Sequence, residues 1–114
     1  METKLFQQLK NALPDGELDS AVKDSVVVEL RRIMDGIDLR KNGIAEDDLH
    51  NVASSAVDYA LNLFIVDWKN IVEESEDIDN FNCRLEVLCY SAIYMVGYRL
   101  RHDFGRTMGI VSFD

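Results

Sequence analysis

The sequence predicts an all-α fold, a single-domain helical bundle of about four helices over residues 1–114 with a short C-terminal tail that runs extended. Three observations carry this expectation. Apolar residues recur three and four positions apart in four separate stretches, the spacing that lines one face of an α-helix. Capping and turn residues stand between those stretches, and no linker is long enough to separate two domains. The composition, 47% hydrophobic against 29% charged, is that of a chain able to bury a core and far from the apolar-poor balance of disordered chains.

The first helix is expected from about Glu2 to Leu13, with Leu5, Phe6, Leu9, Ala12 and Leu13 on one face. Pro14 ends it, because proline disfavours the helical conformation in the residue before it, and Asp15-Gly16 favours a turn. The second starts near Asp19 or Ser20, whose side chains can accept from an unpaired N–H of the first turn. Val22, Val26, Leu30, Ile33 and Ile37 form its apolar stripe, opposite the solvated Lys23, Asp24, Glu29, Arg31, Arg32 and Asp35, and Gly36 marks its end.

Lys41-Asn42-Gly43 is the next turn, after which Glu46, Asp47 and Asp48 occupy the first turn of the third helix, where the macrodipole favours carboxylates. Leu49, Ala53, Ala56, Val57, Ala60, Phe64, Trp68 and Ile71 trace its buried side, and the alanines allow a neighbouring helix to approach closely. From Glu73 to Asp79 five of seven residues are acidic, which suits a helix exit or loop because carboxylates are disfavoured in a C-terminal turn. Asp79 or Asn80 then caps the last helix, about Phe81 to His102, with Leu85, Leu88, Ala92, Val96 and Leu100 inward. The tail, Phe104 to Asp114, holds Gly105 and Gly109 and reads as an extended segment or short strand. Short connections imply a bundle with the last helix, apolar nearly all round, at its centre or at a subunit interface.

The charge is unevenly placed. Residues 44–82 hold ten carboxylates and a single cation, a net −9 that equals the formal charge of the whole chain, so the remainder is neutral. The longest nearly apolar run, Val87 to Tyr98, is shorter than the about 20 residues that span a bilayer, and the first residues lack a basic segment followed by an apolar one. A cytoplasmic protein that does not engage membranes is therefore expected. Two cysteines, Cys83 and Cys89, lie too far round one helix to bond to each other, and without a Cys-x-x-Cys or Cys/His cluster they indicate reduced thiols in or near the core rather than a zinc site.

Motifs that carry chemistry are weak. Asp38, Asn42 and Gly43 resemble the first, fifth and sixth positions of a calcium-binding EF-hand loop, but Arg40 occupies the third ligand position and Leu49 the twelfth, where the bidentate glutamate belongs. A turn followed by a helix start explains the segment better. His50 follows Glu46 by four residues and Asp47 by three, and His102 precedes Asp103, but neither histidine has a recurring Glu-x-x-His partner pattern, and each reads as a surface residue. No nucleophile elbow, glycine-rich loop or phosphate cradle is present. No catalytic residue, metal ligand or cofactor site is assigned, and the protein is expected not to be an enzyme.

Two surfaces remain. Tyr90, Tyr94 and Tyr98 recur every four residues with Arg101 beyond them. Tyrosine and arginine are enriched in interface hot spots, while the plainer account places the phenols at the edge of the core. Carboxylates can steer a basic partner, here Glu73, Glu74, Glu76, Asp77 and Asp79, with Asp47 and Asp48 as a second group and Trp68, Tyr94 and Tyr98 as anchors. Their plainer role is to keep the protein soluble. Direct nucleic-acid binding is disfavoured, since stacking aromatics need a positive groove and the basic clusters Arg31-Arg32 with Arg40-Lys41, and Arg99 with Arg101 and Arg106, are small.

The sequence thus points to a small acidic protein-binding module. In size, charge and helicity it is similar to bacteriocin immunity proteins, which implies an inhibitor, immunity protein or antitoxin of a basic partner. The alternative is a structural or regulatory homo-oligomer assembled through the last helix.

Overall fold

The computed structural model describes the backbone of residues 2–108 and the side chains of residues 4–100. Four helices form in the four periodic stretches: α1 (Glu2–Ala12), α2 (Ser20–Asp35), α3 (Leu49–Glu74) and α4 (Ile78–Met108). There is no strand among the described residues. The expected all-α bundle of four helices is thus the architecture observed.

Each helix boundary has a local cause. The N–H of Gly16 donates to the Ala12 carbonyl at the end of α1 (3.0 Å), with Gly16 at φ 75°, a conformation costly for any residue with a Cβ. Asp19 caps α2, its Oδ1 accepting from the Val22 N–H at 2.9 Å, and the Gly36 N–H closes the other end on the Ile33 carbonyl at 3.0 Å. In the turn that follows, Asp38 Oδ1 accepts from the N–H of Arg40 and of Lys41. The Asn42 amide donates to the Asp38 carbonyl at 2.8 Å, and Gly43 takes φ 85°. The residues that resemble a calcium loop are therefore spent on a turn that buries Leu39 and Ile44 beside the helices.

A short 3-10 turn, Glu46–Asp48, leads into α3. Helix α3 bends at Asp67 (φ −124°, ψ 15°), where the Asn70 amide donates to the Asp67 carboxylate at 2.8 Å. Helix α4 departs from the sequence expectation at both ends. It begins at Ile78 because Asp77, not Asp79 or Asn80, is the cap: Asp77 Oδ1 accepts from the Asn80 N–H at 2.8 Å. It continues through Gly105 to Met108, so the first part of the expected extended tail is helical. The rest of the expected extended segment or short strand, residues 109–114, lies outside the described residues.

A continuous apolar cluster draws on all four helices and the 38–44 turn. Phe64, Phe81, Leu9, Leu30, Leu85 and Val26 are its largest fully enclosed side chains. Phe6 of α1 stacks on Phe81 of α4 with ring centroids 4.8 Å apart, joining the first and last helices. The antiparallel α3–α4 pair is the principal packing, with α1 and α2 laid against it. The small Ala56, Ala60 and Ala92, all fully enclosed, let these backbones approach closely. The molecule measures 51 × 25 × 24 Å, a length matched by α4, whose 31 residues rise about 46 Å.

Candidate functional site

Because α4 contacts the bundle along one side, its apolar residues divide into two sets. Phe81, Leu85, Cys89, Ala92 and Ile93 are buried. Val87, Tyr90, Tyr94 and Tyr98 fall within an arc of about 80° on the other side at 100° per residue, and all are exposed: Tyr94 at 66%, Tyr90 at 51% and Tyr98 at 44%. The phenols do not line the protein's own core. Leu100, expected inward, is 38% exposed, since it lies toward the edge of the face that α3 covers.

Trp68 behaves in the opposite way. It is 5% exposed and belongs to the core, four residues after Phe64 on the buried side of α3. It cannot serve as an accessible anchor in this conformation. The exposed aromatic residues of α4 are Tyr90, Tyr94 and Tyr98, so Tyr90 takes the place that Trp68 was expected to fill beside the other two.

The acidic residues do not form one patch. Asp47, exposed, and Asp48, half-buried, stand at the start of α3, while Glu73 and Glu74 end it, about 39 Å away along a 26-residue helix. Even within the α3–α4 connection the carboxylates differ in role. Asp77 is committed to capping α4. Glu74 is paired with Arg84, whose Nη1 lies 3.4 Å from its Oε1 and whose Nη2 donates to its backbone carbonyl at 3.5 Å. Arg84 Nε also donates to Asn80 Oδ1 at 3.1 Å, so one guanidinium ties the end of α3 to the first turns of α4. Ser75 anchors the connection, buried and with its hydroxyl donating to the Ile71 carbonyl. Glu73, Glu76 and Asp79 remain exposed, and with Glu86 they place negative charge at the N-terminal end of the tyrosine face. Neither Arg84 nor Glu86 is singled out by a sequence pattern; only the pairing of helix ends reveals them.

The remaining candidates are dispersed. Glu46 is drawn away from His50 by Arg40, whose Nε and Nη2 contact its two oxygens at 2.6 and 2.8 Å. That guanidinium holds the Glu46 carboxyl below the usual range, chiefly by hydrogen bonding. Among the described residues no group of three or more His, Cys, Asp or Glu side chains is arranged to hold a metal ion. His50 borders an open surface groove of about 380 Å³ between α2, the 38–44 turn and α3. Cys83 is exposed rather than semi-buried, whereas Cys89 is buried, its thiol pushed up to about 11, first by burial and then by the nearby carboxylates of Glu86 and Glu29. No described helix is long and apolar enough to cross a membrane. Compared with known proteins, the chain matches no family model, no curated protein and no solved structure.

Proposed function

We propose that the protein is a non-enzymatic protein-binding module that docks through the outer face of α4. The observation that carries this reading is the outward presentation of three tyrosines and Val87 along one rigid helix. Tyrosine offers a large apolar area with a polar tip and loses little side-chain freedom on binding, so such a row supplies affinity at low entropic cost. Glu73, Glu76, Asp79 and Glu86 at one end of the row steer a partner carrying positive charge. Asp47 and Asp48, at the far end of α3, belong to a separate surface. An inhibitor, immunity protein or antitoxin remains the class of module that the size, acidity and helicity suggest, and it requires a basic target.

Site-specific photo-crosslinking tests the face directly. A photoreactive phenylalanine analogue placed at Tyr94 is expected to capture protein in the native cytoplasm. The same group at exposed Val28 on α2 serves as the reference. Equal or absent capture at the two positions overturns the reading.

A further inference from the structure

We infer that Asn42 is a site of spontaneous deamidation, closed while the 38–44 turn is formed and reactive when that turn opens. Of seven asparagines in the chain, only Asn42 precedes glycine. The other six stand inside helices before larger residues. Asparagine deamidates by attack of the next residue's backbone nitrogen on its own side-chain carbonyl carbon, and that nitrogen is least obstructed in glycine, which has no Cβ. Asn42 and Gly43 are both exposed. The space beside Gly43 is open, with nothing but its chain neighbours within 4 Å of where a Cβ would stand.

Hydrogen bonds of the turn keep the two reacting groups apart. The Gly43 N–H donates to the Arg40 carbonyl at 3.1 Å, and the Asn42 amide donates to the Asp38 carbonyl at 2.8 Å. Attack requires the Gly43 nitrogen to lose its proton and turn toward Asn42 Cγ, which breaks the first bond and swings the side chain out of the second. The turn itself is secured by Asp38 Oδ1, which accepts from the N–H groups of Arg40 and Lys41. The Ile44 N–H on the Leu39 carbonyl at 3.1 Å and the burial of both side chains close it. A reaction confined to the opened form runs at the unfolded chain's rate multiplied by the population of that form.

The chemistry needs no partner but water. The Gly43 nitrogen, its proton passed to solvent, bonds to Asn42 Cγ, the Cγ–Nδ2 bond breaks, and the amide leaves as ammonia from a five-membered imide. Water then opens one of the two imide C–N bonds. Opening at Cγ leaves aspartate, and opening at the backbone carbonyl leaves isoaspartate with an extra methylene in the chain; nothing is oxidised or reduced. Either product carries a carboxylate, which accepts hydrogen bonds but donates none. The bond to the Asp38 carbonyl is therefore not remade, and a new negative charge stands beside Asp38. Deamidation thus records each opening that leads to reaction and leaves the turn weaker than before.

Incubation of the full chain in mildly alkaline buffer, followed by peptide mapping with mass detection, tests the site and its gate. The gain in mass separates the reaction from isomerisation at Asp15-Gly16 and Asp35-Gly36, which passes through the same imide without one. In guanidinium chloride Asn42 is expected to deamidate well ahead of the other six asparagines, and in the folded protein about tenfold or more slowly than in denaturant. Asp38→Ala, at an exposed position that leaves Asn42-Gly43 and the core in place, should raise the folded-state rate about fivefold. Asn42→Asp, which is one of the two products, should be cut by trypsin after Arg40 and Lys41 about fivefold faster than native wild type. An Asn42 no faster than the helical asparagines in denaturant overturns the site. Equal rates in the folded and denatured chains, or no acceleration by Asp38→Ala, overturn the gate. An Asn42→Asp variant as resistant to trypsin as wild type overturns the weakening of the turn.

Discussion

At the scale of single residues, neighbouring side chains of the same type hold unlike positions. Cys83 and Cys89 are six residues apart, yet one is exposed and the other enclosed near the Leu30 carbonyl, with the thiol sulphur 3.9 Å from that oxygen. A thiol-specific reagent at neutral pH should therefore modify one cysteine in the native protein and both in denaturant, and two fast-reacting native thiols would contradict the buried position. Burial raises the folded-state value for Cys89 from about 9 in the unfolded chain to about 11. The stabilisation linked to its neutral form is complete below about pH 9 and is lost as pH rises toward 11. Alkaline destabilisation across that window should be smaller in Cys89→Ala than in wild type when denaturation midpoints are compared. Carboxylates divide in the same manner. Asp77→Ala removes a helix cap and is expected to cost about 1 kcal/mol, whereas Glu73→Gln relieves negative charge at the end of α3 and should be neutral or slightly stabilising; urea denaturation of both variants measures the contrast.

Among the helices, α4 serves two surroundings, because one side must complete the core and the other is left to solvent. Phe81 belongs to the core side, fully enclosed and stacked on Phe6, so Phe81→Ala is expected to cost about 3–5 kcal/mol, with the loss appearing as a lower denaturation midpoint. Exposed Tyr90→Ala should cost far less in the same measurement. The starts and stops of α1 and α2 are legible in the sequence, because Pro14, Asp19 and Gly36 each have a single plausible geometry. The start of α4 is not. Asp77, Asp79 and Asn80 can all accept at a helix N-terminus, and the choice falls to Asp77 because Ser75 and Arg84 fix the connection around it. Gly105 reads as a stop, yet helix continues through it, since one glycine costs only about 1 kcal/mol. The candidate face is half legible: the four-residue repeat of tyrosines shows that they share a side, but a helix apolar nearly all round does not reveal which side its neighbours cover. The periodic pattern does place Trp68 on the buried side of α3, where it lies; its choice as an anchor conflicts with that position.

For the whole molecule, the distribution of charge decides how association responds to salt. The net −9 attracts a positively charged partner from a distance and repels a second copy of the chain. Raising salt from about 0.01 M to 0.15 M shortens the screening length from about 30 Å to about 8 Å, so association with a basic partner should weaken from the first addition of ions, whereas any self-association should strengthen over the same range. The yield of photo-adduct at Tyr94 and sedimentation of the protein alone, each followed across the same salt series, distinguish the two courses. An adduct yield that does not fall with added salt would mean that the apolar contact of the tyrosines, and not the negative charge concentrated in residues 44–82, governs association.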